Sequence, residues 1–492
     1  MSLKRGGLSL IGVLAALTFV SCGSSNSSTF VIPKQGSLYT FIGDSPACDV
    51  LGLRIRVSGL KFRVAGTTDQ TFTLFPSASS APLYRVNFAS LRDSSTVLTL
   101  SSVNVGSYDQ ATITFITTQI ILYDPTSDPP VKVISGTLTT ASPTIPLQPN
   151  LTIAEGKLQA LRIDLDMARS IGVDAQGEVT DKISPAVRAS VVTPNAADGY
   201  GAFDDLLGFV TSVSAFPTGN FAGTFSLQIL AGTGSALTIN LTAQTDMYGV
   251  PDLASLETGR FVEVNAYIDS NGFIVARTIE AEDRADVTNK TIAFLGYVLP
   301  TPTRDTSGNV TQFKFYVSEE EPDLNREVPL DSVIVVNVSP STTYQVSSRS
   351  MNFENLPFDA TSVTAGQELV IHGQYTTLTD QPTVLAANSV YLKIQTLQGA
   401  LSSLVQAGSD GKTGAFWFDP CARVQQGVPI LVLTRNDTTF LNVLGLAGIT
   451  PNSTLLVRGL PFYTKDAWTT KGGVSVPAGT LVVLAEQVHQ LQ

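Results

Sequence analysis

Hydrophobic and polar residues alternate with a period of two along most of the chain. Leu53-Arg54-Ile55-Arg56-Val57 alternates apolar and basic, Ser58-Gly59 reads as a turn, and Leu60-Lys61-Phe62-Arg63-Val64 repeats the pattern. Successive side chains of a strand point to opposite faces. These residues therefore predict a hairpin-like pair with one buried and one solvated face. Residues 111–123 form a longer Thr/Ile-rich run of the same kind, and residues 160–167 another. β-Branched and aromatic side chains suit the pleated surface of a sheet. Helical periodicity is scarce: the candidates at 252–258, 399–407 and 441–448 are each too short for an independent helix. The predicted fold class is all-β.

The first residues break the pattern. Lys4 and Arg5 precede an apolar run at 8–20, 13 residues long. A bilayer core needs about 20 helical residues, whereas the apolar part of a secretory signal takes roughly 7–15. The run ends in Phe19-Val20-Ser21-Cys22, followed by Gly23-Ser24-Ser25-Asn26-Ser27-Ser28. This resembles the bacterial lipoprotein lipobox, with Phe19 where Leu is usual. The alternative is an ordinary signal peptide with an unrelated cysteine. The resemblance implies acylation of Cys22 after cleavage. Because residue 23 is Gly and not Asp, it also implies sorting to the outer membrane of a Gram-negative cell. Two or more acyl chains anchor a protein stably, where one does not. The expectation is an exported protein, lipid-anchored in the cell envelope. Residues 1–22 would be its signal and 23–36 a flexible tether.

Export also sets the redox surroundings. With Cys22 acylated, only Cys48 and Cys421 remain. A bridge between them in an oxidising compartment would close nearly the whole mature chain. Loop entropy makes such a bridge worth at most about 6 kcal/mol. Two buried free thiols are the other reading.

Residues 37–198 read as one unit. It opens on Leu38-Tyr39-Thr40-Phe41-Ile42 and the turn Gly43-Asp44-Ser45-Pro46. Val105-Gly106-Ser107-Tyr108 lies in the middle, and Ile163-Asp164-Leu165-Asp166-Met167-Ala168-Arg169-Ser170-Ile171 near the end. These segments resemble a domain of unknown function common in envelope lipoproteins of acidobacteria, bacteroidetes and related bacteria. The resemblance implies a β-sandwich with a carbohydrate-facing or adhesive role.

Three related units follow, at 205–284, 291–394 and 395–491. Each begins on a strand carrying glycine: Leu207-Gly208-Phe209-Val210, Leu295-Gly296-Tyr297-Val298 and Gln398-Gly399-Ala400-Leu401. Each repeats a threonine near an aromatic residue: Thr245 with Tyr248, Thr343 with Tyr344, Thr439 with Phe440. Five strands per unit predict a small closed or nearly closed barrel of OB type. The series resembles tandem bacterial envelope modules of unknown function.

Composition then narrows the chemistry. Charged residues make up 14% of the chain, against about 25% in an average domain. The net charge of −11 repels phosphate backbones, so nucleic acid is not an expected partner. Two histidines and three cysteines in the whole chain leave no basis for a metal cluster. No catalytic set, cofactor or metal is expected. Arg54, Arg56, Lys61 and Arg63 could take an anion, but charged residues are most often the wet side of a strand. Asp164 and Asp166 share a strand face. They would serve glycoside hydrolysis only on meeting another carboxylate across a cleft. With Ile163, Leu165 and Met167 turned to the core, both face water. The acidic run 319–323 reads as a solvated loop. Asp269-Ser270-Asn271-Gly272 and Asp305-Thr306-Ser307-Gly308-Asn309 read as turns.

Aromatic residues are the stronger candidates. Trp417 lies between Phe416 and Phe418, and Trp468 follows Phe462-Tyr463. Flat rings present apolar faces on which sugar rings stack, and OB-type barrels offer a face for oligosaccharides. Phe416, Trp417, Tyr463 and Trp468 are therefore the candidate ligand-binding residues. The plainer reading has one strand face in the core and the other covering a domain contact. The expected function is non-enzymatic: an envelope binding or structural protein contacting polysaccharide. A protein scaffold or adhesin of the outer membrane is the alternative, and a glycoside hydrolase the third.

Overall fold

The computed structural model describes residues 34–491 apart from 46–47, 49, 76–83, 92–94, 197–198, 230–235, 282–290, 322–327, 348–350, 378–382, 423, 425–427 and 452. The expected signal segment, Cys22 and residues 23–33 of the expected tether lie outside the described residues, as does the end of the acidic run. Among the described residues no helix is long and apolar enough to cross a membrane.

The N-terminal domain packs two sheets face to face. One has the strand order Val187–Val192, Leu158–Asp166, Gln35–Ser45, Ser95–Asn104. The other has eight strands built around the long pair Val50–Val64 and Gly106–Tyr123. Leu38, Ile42, Leu161 and Ile163 from the first sheet meet Leu53, Ile55, Val57 and Phe115 from the second, all buried.

The expected hairpin at 53–64 is instead one continuous strand, Val50–Val64. Ser58-Gly59 does not turn the chain. The register against Gly106–Tyr123 shifts between Ile55 and Val57 and again between Val57 and Gly59. An extra residue in one strand changes which side chains face inward. Leu53, Ile55 and Val57 are buried before the bulge, and Leu60 and Phe62 after it. Both halves thus keep their apolar residues on one core.

Three five-stranded barrels follow. The first is built from Ala202–Ser214, Gly223–Ile229, Leu237–Leu241, Phe261–Ile268 and Ile274–Ala281. The second uses Thr291–Val298, Val310–Glu321, Val333–Asn337, Glu368–Thr376 and Val384–Leu392. The third uses Gln395–Ala407, Gly414–Pro420, Ile430–Thr434, Thr454–Thr464 and Thr480–Gln490. In each, the first strand pairs with the second and fourth, and the fifth closes the barrel by running parallel to the third. Closure leaves few free strand edges.

The sequence repeats have a structural cause. At Gly208, Gly296 and Gly399 an added Cβ would sit 2.2, 1.8 and 2.2 Å from a carbonyl oxygen of the second strand. Only glycine allows that approach. Thr245, Thr342 and Thr438 also recur, one per barrel. Each hydroxyl accepts the backbone N–H three residues earlier, at 3.0, 2.9 and 2.9 Å. Each donates to the carbonyl of Ala276, Ala387 or Ala485 on the fifth strand, at 2.7, 2.8 and 2.9 Å. The repeated threonine in the second and third barrels is therefore Thr342 and Thr438, one position before Thr343 and Thr439. A short strand follows it in every barrel, Asp246–Tyr248, Thr343–Val346 or Thr439–Leu441, and pairs parallel with the fifth.

The three helix candidates resolve differently. Residues 399–407 belong to the strand Gln395–Ala407. The other two contain single 3-10 turns, Leu253–Ser255 and Leu446–Gly448. The first of these is capped by Asp252, which accepts the Ser255 N–H at 2.9 Å. Glu319, Glu320 and Glu321 end the strand Val310–Glu321 and do not form a loop.

Candidate functional site

The four aromatic candidates do not form one shelf. Alternation along Gly414–Pro420 sends Phe416 and Phe418 into the third barrel, where both are fully buried. Phe416 therefore offers no ring face to a ligand. Trp417 points outward and is half-buried. It packs against an apolar cluster that includes Leu431, Leu460 and Phe462 of its own barrel and Met351 and Leu356 of the second. Trp468 lies on a short strand paired with Ser475–Val476 and packs against the same cluster. Its buried indole N–H meets no acceptor among the described residues.

Tyr463 is the candidate that lines a cleft. The Arg304 guanidinium stands 5.2 Å from its ring centroid, within reach of a cation–π contact. Arg304 also donates to the carbonyls of Gly308, Thr361 and Val363 at 2.8, 3.1 and 2.6 Å. The second barrel thus holds the cation over the third barrel's ring. Thr301, Pro302, Thr364 and Leu481 complete a cleft of about 260 Å³ between the two barrels.

Trp417, Tyr463 and Trp468 thus lie toward the joint between the second and third barrels, and the N-terminal domain has a joint with every barrel. Toward the first barrel, the Tyr39 hydroxyl donates to the Gly272 carbonyl at 3.0 Å. The rings of Phe41 and Phe203 lie 5.7 Å apart. Burial, with the Asp269 carboxylate nearby, pushes the Tyr39 phenol up to about 12.

Toward the second barrel, Arg54 Nε lies 2.9 Å from both carboxylate oxygens of Asp331. The two side chains are only 6% and 9% exposed. Arg54 donates further to the Ser318 carbonyl, and the Tyr316 hydroxyl donates to Asp331 at 2.8 Å. Burial works against the Arg54 charge, but Asp331, Tyr316 and Glu319 outweigh it and raise its pKa. Burial, then the Asp331 charge, holds the Tyr316 phenol well above its ordinary value. Asp331 itself sits at φ 65°, a left-handed conformation that Asp tolerates better than most residues.

Toward the third barrel, Cys48 and Cys421 form a disulfide across 373 residues. The barrels are also joined in series. Lys393 lies between the last strand of the second barrel and the first of the third. Its Nζ is 2.6 Å from Glu263 and 3.3 Å from Glu280 of the first barrel, with all three side chains buried. Gln367 of the second barrel donates to the Pro461 carbonyl of the third at 2.9 Å.

The remaining charged candidates have local duties. Arg63 pairs with Asp109 at 2.8 Å, and that hydrogen bond lowers the Asp109 pKa. Arg56 is exposed beside Ile116 and Gln119 in a groove of about 590 Å³. Asp164 lies 2.7 Å from Arg162. Asp166 caps the turn Met167–Ser170 by accepting the Arg169 N–H at 3.1 Å. Ile163, Leu165 and Met167 are buried on the opposite side. Among the described residues, no three His, Cys, Asp or Glu side chains group as metal ligands.

One surface escapes the sequence reading. The strand Gln395–Ala407 pairs with Thr454–Thr464 only as far as Ala400, yet with Gly414–Pro420 as far as Ala407. Residues 402–407 are exposed and leave one edge outside the barrel. Leu404 and Val405 are 46% and 44% exposed there. Such an edge is a template for strand addition. The signal in the sequence is Asp410-Gly411, turn residues in the short connection between Ala407 and Gly414, with Gly411 at φ 70°.

The architecture defines a class: a two-sheet β domain followed by tandem small barrels, locked together at buried joints. Residues 35–182 match the family described as "Domain of unknown function (DUF4382)". The chain thus carries a DUF4382 domain followed by three small five-stranded β-barrels. No curated protein matches the chain.

Proposed function

We propose that this chain is a non-enzymatic scaffold of the cell envelope. It is held to the outer membrane by acyl chains on Cys22, and its four domains act as one stiff body. That body presents the strand edge at 402–407 to a protein partner. The observation that carries this reading is the set of joints from the N-terminal domain to all three barrels: Tyr39 to Gly272, Arg54 to Asp331, and Cys48 to Cys421. Buried ion pairs are poor sources of net stability, but separating the partners leaves an uncompensated buried charge and is costly. The test is a photo-crosslinking residue in place of Val405 in intact cells. A discrete protein adduct, lost on Leu404→Lys, is expected. Absence of any protein adduct counts against the reading.

Polysaccharide is the second reading, favoured by the cleft under Arg304 and Tyr463. It predicts retention of the chain on an envelope polysaccharide and loss of that retention on Tyr463→Ala. Retention that survives this substitution removes the cleft from consideration.

A further inference from the structure

Three large apolar side chains lie exposed in a row that leads from the first described strand onto the first barrel. Leu100, 52% exposed, stands opposite Tyr39 in the ladder between Gln35–Ser45 and Ser95–Asn104. Directly opposed residues share a sheet face. Leu100 is therefore on the side from which Tyr39 reaches the Gly272 carbonyl. The next residue, Phe273, is 47% exposed, and its ring meets Phe221 edge-on at 5.4 Å. Phe221 belongs to the connection between the first two strands of the first barrel. The same connection carries Phe216, 80% exposed. Single exposed apolar residues are ordinary, but a group on one face marks a contact surface.

We propose that this face, with Leu100, Phe216 and Phe273, rests in the interfacial layer of the bilayer to which the chain is anchored. The inference depends on acylation of Cys22. The distance argument is simple. From Cys22 to Lys34 the chain can reach at most ~40 Å. From Lys34 to Tyr39 the strand covers about 17 Å, so Leu100, opposite Tyr39, lies well within the reach of such a tether. A tethered surface meets its partner at an effective concentration near millimolar. A modest apolar area then suffices to settle on lipid. Lys34 pairs with Glu155 at 2.6 Å, and Asp269 accepts the N–H groups of Asn271 and Phe273 at 2.9 Å.

The test uses the full acylated chain in phosphatidylcholine vesicles whose acyl chains carry bromine. The parent has two tryptophans, both packed at the joint between the second and third barrels. Phe216→Trp adds a reporter at the proposed contact, and Leu100→Trp adds one at its other edge. The chain should float with the vesicles, and brominated lipid should quench most of the added emission while leaving the parent emission in place. Flotation with the added emission unquenched by lipid but quenched by aqueous iodide overturns the inference and leaves the anchor standing. Failure to float overturns the anchor, and this inference with it.

Discussion

Arg54 and Asp331 are 277 positions apart in sequence, yet Arg54 Nε contacts both oxygens of the Asp331 carboxylate in a buried joint. Removing one partner leaves the other charge buried without compensation, at a cost of about 3–5 kcal/mol. Arg54→Ala should lower the urea unfolding midpoint by a corresponding amount. Arg54→Met combined with Asp331→Asn should recover much of the loss. Asn tolerates the φ of 65° at that position, and the double variant buries no lone charge. A double variant as weak as Arg54→Ala would assign the effect to shape alone.

The disulfide closes a loop of 373 residues. Chain entropy puts its contribution at up to about 6 kcal/mol, with residual structure in the unfolded chain reducing it. Cys421→Ser, or reduction of the parent, should lower thermal stability and free the N-terminal domain from the third barrel. An unchanged melting curve after verified reduction would show that the other joints suffice.

The repeated threonines should behave as a graded series. Thr438 is 1% exposed and Thr342 8%, whereas Thr245 is only half-buried. A valine of similar shape leaves a backbone N–H and a carbonyl without their hydroxyl partner, worth about 1–3 kcal/mol when the groups are buried. Melting temperatures should fall most for Thr438→Val and least for Thr245→Val. Equal losses would mean that burial does not set the cost.

Alkaline pH should weaken the joint to the first barrel. Tyr39 titrates at about 12 in the folded chain, against about 10 when unfolded. The folded state therefore holds its proton longer, and this stabilisation is full below pH 10. It is lost as pH rises from about 10 to about 12. Tyr344, also pushed up to about 12 by burial with Asp359 nearby, acts in the same direction. Thermal melts between pH 9 and 11.5 should show a shallower decline in Tyr39→Phe than in the parent.

Much of the fold is legible in alternation, and the limits are instructive. The inward faces of 53–57 and 60–64 follow from the pattern. A turn and a bulge change its phase alike, however, and only the long partner Gly106–Tyr123 decides between them. The barrel repeats are legible through Gly208, Gly296 and Gly399, since close backbone approach demands glycine. Paired threonines at 342–343 and 438–439 hide which one carries the hydrogen bonds. The joints are the least legible. Arg54 looks like the wet side of a strand until Asp331 arrives from another domain. Trp417 faces out of its own barrel, and the apolar cluster it packs against draws on the second barrel as well as the third.

Differential scanning calorimetry of the oxidised chain tests the stiff-body reading most directly. Coupled domains should melt in one cooperative transition, with calorimetric and van't Hoff enthalpies in agreement. Two or more separated transitions from the intact, oxidised chain would contradict it.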